Sequence, residues 1–356
     1  MSIKQVEMIN FRNHQKKVFM FSPGINLIWG ENGSGKTSVL EAVYILSNGK
    51  SFKTNKLTET IQTGYKETII KGVFDNAKTT TLYQPLKGSK KIKTNDILSS
   101  TKDLIGKNPT VLVSPEEEKI TKGPHSDRRV YFNRLFSNVS KTYLSNLIKY
   151  TAAVKNRNIL LKQNKPIEEI RTWDAPAAKY GTLLWLEKQQ LQKKFNAETL
   201  GVCKKYSNDI IVDVSTTTPT NPNEKEFLEE LKKKSKIDVA LRRTTVGPHT
   251  DKYMISFTNK PLRELGSQGE HKLSFVLLKV AEHSFIEKET NKTPTLLLDD
   301  LFAKLDLGRG NAIFDLIKRS GQTIITNTDL AGAKSHGINT NNPNNKSIHL
   351  VRKWKN

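Results

Sequence analysis

Between residues 30 and 37 the chain reads Gly30-Glu31-Asn32-Gly33-Ser34-Gly35-Lys36-Thr37, two glycines five positions apart followed by lysine and threonine. That spacing is the pattern of a phosphate-binding loop, whose glycines let backbone N–H groups close around an anion. In such a loop Lys36 neutralises β- and γ-phosphate oxygens and Thr37 offers its hydroxyl to Mg2+. The flanks agree. Apolar residues over 17–29, punctuated by Pro23-Gly24, read as short strands ending at Trp29, and 3–11 reads as another. From Thr37 onward Val39, Leu40, Val43 and Leu46 share one helical face until Asn48-Gly49 stops it. A strand, a glycine-rich turn and a helix therefore point to an ATP-binding α/β fold, with Gly30 to Thr37 and the following Ser38 as nucleotide contacts.

A second element supports this reading. Thr295-Leu296-Leu297-Leu298-Asp299-Asp300 is an apolar strand ending in two carboxylates, the form of a Walker B element. Asp299 is placed to hold Mg2+ opposite Thr37, and Asp300 to orient or deprotonate the attacking water. Upstream, Leu265-Gly266-Ser267-Gln268-Gly269-Glu270 precedes a helix with Leu273, Val276, Leu277 and Val280 on one face. Alone it is an ordinary helix cap. Some thirty residues before the acidic strand, it resembles the signature motif of ABC-type ATPases, and Phe302-Ala303-Lys304-Leu305-Asp306 then occupies the D-loop position, with Asp306 its acidic residue.

The rest of the chain frames these motifs. Residues 68–98 read as antiparallel strands, 128–210 as helices, and 253–257 and Thr323-Ile324-Ile325-Thr326 as strands, with a helix near 309–319. The expected fold class is thus α/β, an ABC-type ATPase head with a mixed sheet and an antiparallel β subdomain. A discontinuous head over 1–110 and 245–356 is interrupted by a mainly helical lobe over 111–244. The formal net charge is +23, mostly from lysine and spread along the chain, which favours a polyanionic partner such as DNA. The single cysteine, Cys203, excludes a disulfide framework. No apolar run is long enough for a membrane helix, and the polar start Met1-Ser2-Ile3-Lys4-Gln5 is unlike a signal peptide, so a cytoplasmic protein without a membrane partner is expected.

Six short segments, in order, resemble the RecF family of SMC-like ATPases: Asn10-Phe11-Arg12-Asn13-His14; Lys50-Ser51-Phe52-Lys53-Thr54; Ser114-Pro115-Glu116 with Arg128-Arg129; Arg242-Arg243-Thr244-Thr245-Val246-Gly247-Pro248-His249; Gly266-Ser267-Gln268-Gly269; and Leu298-Asp299-Asp300-Leu301-Phe302. The resemblance implies ATP and Mg2+ as cofactors, Arg12 and Asn13 as further nucleotide contacts, and a head-to-tail homodimer in which Ser267, Gln268 and Gly269 act in trans. It also implies slow ATP hydrolysis, binding to double-stranded and gapped DNA, RecO and RecR as partners, and RecA loading during SOS-linked replication and repair. The chain departs from the family pattern at Lys53, where arginine is frequent, at Thr250-Asp251-Lys252 and at Glu270-His271-Lys272. Ile325-Thr326-Asn327-Thr328-Asp329 carries no switch histidine. Two other readings compete: a DNA-binding structural protein with a vestigial nucleotide site, and another ABC-type ATPase. A transporter subunit is disfavoured by the long segment separating Lys36 from Ser267.

Overall fold

The computed structural model describes residues 2–75, 77–300, 315–316, 321–331, 338–339 and 342–351. In chain order its strands are β1 (Ile3–Phe11), β2 (His14–Met20), β3 (Ile25–Trp29), β4 (Glu67–Phe74), β5 (Thr79–Pro85), β6 (Lys91–Thr94), β7 (Ile97–Ser99) and β8 (Thr110–Val113). They continue with β9 (Val212–Thr216), β10 (Tyr253–Phe257), β11 (Lys260–Pro261), β12 (Thr295–Asp299), β13 (Thr323–Asn327) and β14 (Lys346–His349). The chain divides into one compact unit of residues 1–118, 205–208 and 275–356, and another of 119–204 and 209–274.

The first unit holds two sheets. One is antiparallel, in the order β2-β1-β4-β5-β6-β7. Its strands alternate between buried and exposed side chains, as in β4 and β5, the pattern of a sheet with one face on the core. The other, β14-β3-β13-β12-β8, has parallel pairing throughout. Its middle strands β12 and β13 are buried along their whole length, and burial of Leu296, Leu297 and Leu298 contributes about 2 kcal/mol each. The helix Lys36–Asn48 packs on β1, β4 and β5 of one sheet and on β8, β12 and β13 of the other. That position explains why Val39, Leu40, Ala42, Val43, Tyr44, Ile45 and Leu46 are all buried. A helix apolar nearly all round belongs inside a core. It ends at Gly49, whose φ of 65° supplies the left-handed cap.

The second unit is mainly helical, with the helices His125–Val139, Lys141–Lys162, Asp174–Tyr206 and Glu224–Leu241 and a small antiparallel sheet β11-β10-β9. Its interior is unusually ionic. Arg157, fully buried, donates to Asp174 and Asp238 at 2.7 Å each and to the Thr244 hydroxyl at 3.0 Å. Buried Asp251 accepts from the Trp185 indole, from the Thr218 hydroxyl and from Lys188 in a salt bridge. Tyr150 donates to His249 Nδ1 at 2.6 Å, and His249 Nε2–H donates to the Thr244 carbonyl at 3.0 Å. The Arg-Arg-Thr-Thr-Val-Gly-Pro-His segment thereby ties helix Lys141–Lys162 to helix Glu224–Leu241. Within it Gly247 has φ 121°, and a Cβ there would lie 2.3 Å from the Tyr150 hydroxyl.

The bounds of these units differ from the expected ones. Residues 111–113, expected in the helical lobe, are part of β8, with Val111, Leu112 and Val113 buried and paired in parallel with Leu296, Leu297 and Leu298. Residues 245–274, expected in the head, fall in the second unit, because β10 pairs with β9 over Val212–Thr216 and His249 bonds to Tyr150. The D-loop residue Asp306 and most of the helix expected near 309–319 lie outside the described residues. Among the described residues no helix is long and apolar enough to cross a membrane.

Candidate nucleotide site

The loop Gly30–Gly35 runs from the C-terminal end of β3 to the N-terminus of helix Lys36–Asn48, the place where parallel sheets bind ligands. Gly35, the residue before the helix, has φ 97°, and a Cβ would meet His14 Nε2 at 2.5 Å and Asn13 Oδ1 at 2.6 Å. Both neighbours hold the loop: Asn13 donates to the Gly33 carbonyl at 3.2 Å, and His14 Nε2–H donates to the Gly35 carbonyl at 3.2 Å. Burial pushes the His14 imidazole below its ordinary pKa, so the ring acts as a neutral donor. Lys36 folds back onto the loop, donating to the carbonyls of Gly30 at 2.6 Å and Glu31 at 3.0 Å. Ser34 Oγ is buried without a partner, while Glu31, Asn32 and Gly33 are exposed. Ser38 N–H bonds the Gly35 carbonyl at 3.1 Å, continuing the first turn.

The acidic strand meets this loop at Asp299. Thr37 Oγ1 donates to Asp299 Oδ1 at 2.9 Å, and Thr326 Oγ1 donates to the same oxygen at 2.8 Å. Burial raises the Asp299 carboxyl above its usual range, while the two hydroxyls and the nearby Lys53 charge pull it back down. Asp300 has a left-handed backbone with φ 49°, and its buried Oδ1 has no hydrogen-bond partner among the described residues. The donor set suits a hard cation. One hydroxyl and one carboxylate oxygen stand together, and Mg2+ takes one or two such protein oxygens while phosphate and water complete its shell. Among the described residues no cluster of three or more His, Cys, Asp or Glu side chains is arranged to hold a metal by itself.

Arg12 is held by a carboxylate and a main-chain carbonyl. Its Nε and Nη2 clamp the Glu41 carboxylate at 2.8 and 2.6 Å, and Nη1 donates to the Glu59 carbonyl at 3.0 Å. Glu41 is fully buried on the loop's own helix and also accepts from the Ser51 hydroxyl. Ser51 in turn accepts the N–H groups of Lys53 and Thr54 at 2.9 and 3.1 Å. One buried carboxylate thus links the segments around Arg12 and Lys53 to the phosphate loop's helix. Sequence reasoning missed both Glu41 and Thr326: Glu41 is a single polar residue inside an apolar run, and Thr326 opens the polar stretch Thr326-Asn327-Thr328-Asp329 with nothing to set it apart. The only available signal was a glutamate on the buried side of a hydrophobic helix.

Ser267, Gln268 and Gly269 begin the helix Gln268–Thr290 in the second unit. Glu270 Oε2 accepts from Ser267 N–H at 2.7 Å, and Glu270 N–H donates to Ser267 Oγ at 3.2 Å, a reciprocal capping box. The departure at Glu270 thereby has a local structural role. Ser267 and Gln268 are exposed, next to Leu265 at 66% exposure.

Comparison with known proteins agrees with this geometry. The family described as the RecF/RecN/SMC N terminal domain matches residues 2–335. A DNA replication and repair protein RecF of Clostridium novyi (strain NT) is 32% identical over 347 residues, covering 94% of this chain and 95% of its own. One of Leptospira interrogans serogroup Icterohaemorrhagiae serovar Lai (strain 56601) is 31% identical over 363 residues, covering 100% and 99%. A solved structure of the recombination mediator protein RecF-ATP in the RecFOR pathway superimposes with a TM-score of 0.85 at 29% identity, over 92% of this chain and 93% of that one. An SMC head bound to the C-winged helix domain of ScpA shares the fold alone, with a TM-score of 0.57 at 15% identity over 94% and 91% of the two chains. With the phosphate loop, the acidic strand and near full-length matches in agreement, the chain belongs to the RecF family of SMC-like ABC-type ATPases.

Proposed function

We propose that this protein is an ATP-operated, DNA-binding recombination mediator of replication and repair. The observation that carries the reading is the meeting of Thr37 and Asp299 at 2.9 Å beside the unpartnered Asp300 Oδ1. Backbone N–H groups of Gly33 to Thr37 bind the phosphates, and Lys36 exchanges its loop carbonyls for phosphate oxygens. Thr37 and Asp299 hold Mg2+, which when bound neutralises charge on the phosphate oxygens. Asp300 accepts the proton of the attacking water. Asn13, which holds the loop at Gly33, and Arg12, which clamps Glu41 of the following helix, are further nucleotide contacts.

ATP binding closes two copies head to tail, with the exposed Ser267 and Gln268 and the half-buried Gly269 of each copy meeting the nucleotide of the other. Slow hydrolysis removes the charge-assisted hydrogen bonds across that interface and releases the dimer. The +23 charge then serves a sequence-independent contact with duplex DNA near gaps. RecR and RecO are the protein partners, RecA loading is the outcome, and the cytoplasm is the setting. The alternative, a DNA-binding structural protein with a vestigial nucleotide site, differs in having no hydrolysis to lose.

The test is light scattering with ATP, with and without gapped duplex, alongside single-turnover hydrolysis. Wild type dimerises with ATP; Lys36→Arg loses nucleotide binding or turnover; Ser267→Arg binds ATP and stays monomeric; Asp300→Asn dimerises and does not turn over. A full dimer from Ser267→Arg refutes the trans arrangement, and equal hydrolysis by Asp300→Asn and wild type leaves the vestigial reading standing.

A further inference from the structure

β13 lies between the phosphate-loop strand β3 and the acidic strand β12, and the register sets Thr326 directly between Ile28 and Asp299. Thr326 is 1% exposed. Ile324 and Ile325 precede it and the buried Asn327 follows it, and a valine would suit the strand equally well and bury no hydroxyl. The hydroxyl is nevertheless fully engaged. It donates to Asp299 Oδ1 at 2.8 Å and accepts the Asp300 N–H at 3.1 Å, with the Leu298 carbonyl farther off at 3.4 Å. Thr37 donates to the same Asp299 oxygen from the other side. The result is one chain of hydrogen bonds, from the Asp300 main chain through Thr326 to the carboxylate shared with the phosphate loop.

Both ends of this chain need holding. Asp300 occupies the left-handed region with φ 49°, a conformation that is costly for a non-glycine residue and persists only where the surroundings fix it. Asp299 must present an oxygen toward the Thr37 hydroxyl, and a carboxylate held by one donor alone can rotate away. The β-branched threonine has a stiff χ1, which fixes the direction of its hydroxyl.

We propose that Thr326 is the positioning residue of the hydrolytic site, its one hydroxyl setting the metal-binding oxygen of Asp299 and the strained turn that aims the Asp300 carboxylate. The proposal rests on the ATPase reading above. It gives this chain a coupling element at the end of β13, where the sequence offers no switch histidine: a displacement of β13 changes the metal ligand and the base together.

The test compares wild type, Thr326→Val and Thr326→Ser by four measurements: single-turnover ATP hydrolysis, ATP affinity in EDTA, Mn2+ affinity by electron paramagnetic resonance with ATPγS, and the melting temperature without nucleotide. Thr326→Val keeps the shape and removes the hydroxyl, so hydrolysis and Mn2+ affinity each fall by about tenfold. ATP affinity in EDTA stays within about twofold, because phosphate-loop contacts are untouched. Thr326→Ser restores both losses. Unchanged hydrolysis and Mn2+ affinity in Thr326→Val overturn the proposal, as does a Thr326→Ser variant as impaired as Thr326→Val. Should Thr326→Val melt early, Thr326→Ala is measured against Thr326→Ser in its place by the same criteria. If wild type hydrolyses ATP no faster than buffer does, the ATPase reading fails, and the Mn2+ comparison still decides the role of Thr326.

Discussion

Glu41 is a carboxylate in a place that composition alone would assign to leucine. It is fully buried in the helix that follows the phosphate loop and is balanced by Arg12 in a two-bond clamp. Removing one partner of such a pair strands the other charge in the core. Arg12→Ala is therefore expected to lower stability by about 2 kcal/mol, toward the low end because Arg12 remains 25% exposed. Urea unfolding measures it, and the double variant Arg12→Met/Glu41→Leu should recover at least half of the loss. A double variant as unstable as Arg12→Ala would show that volume, and not the stranded charge, is at stake. Nucleotide affinity should fall along with stability, since the same carboxylate anchors Ser51 and, through it, the backbone of Lys53.

At the scale of elements, residues 242–249 form a seam between helices, with Thr244, Thr245 and His249 bonded to their side chains. Gly247→Ala would drive a Cβ into Tyr150 and Phe227 at a φ of 121°, and is expected to destabilise the second unit by about 2–3 kcal/mol, read as an early melting transition. His249 adds a pH dependence. Burial lowers its pKa below that of the unfolded chain, near 6.5. The unfolded state then binds the proton first, so the stabilisation is complete above about pH 6.5 and is lost as pH falls through the lowered folded value. The drop in melting temperature between neutral and mildly acidic buffer should shrink in His249→Gln, and an unchanged drop would assign it to other groups. These elements also mark what the sequence could reveal. The phosphate loop and the strand Thr295–Asp299 are local patterns whose chemistry depends on spacing, so they were legible. β8 was not, because three apolar residues in a four-residue strand carry no period. Asp251 was noticed only as a departure from a pattern, although it is a buried acceptor for Trp185, Lys188 and Thr218. Thr326 gains its role only from the register of β13 beside β12, which no single stretch of sequence encodes.

For the whole molecule, the net charge of +23 has one direct consequence in solution. Affinity for duplex DNA should fall linearly on a log–log plot against salt, each phosphate contact adding about −0.9 to the slope. A slope of about −3 or steeper is expected in fluorescence anisotropy with ATP, and a slope near zero would separate the charge from DNA altogether. The parallel sheet carries a different consequence, in time. β3 comes from the beginning of the chain, whereas β12 and β13, which flank the site from the other side, come some three hundred residues later. At about 5–20 residues per second, a ribosome leaves the phosphate loop without its acidic partner for about 15–60 s. Residues 119–204 and 209–274, which build the second unit, are complete before that partner is made. Synthesis order is thus a safeguard: a nascent chain cannot assemble a working nucleotide site until β12 and β13 have emerged.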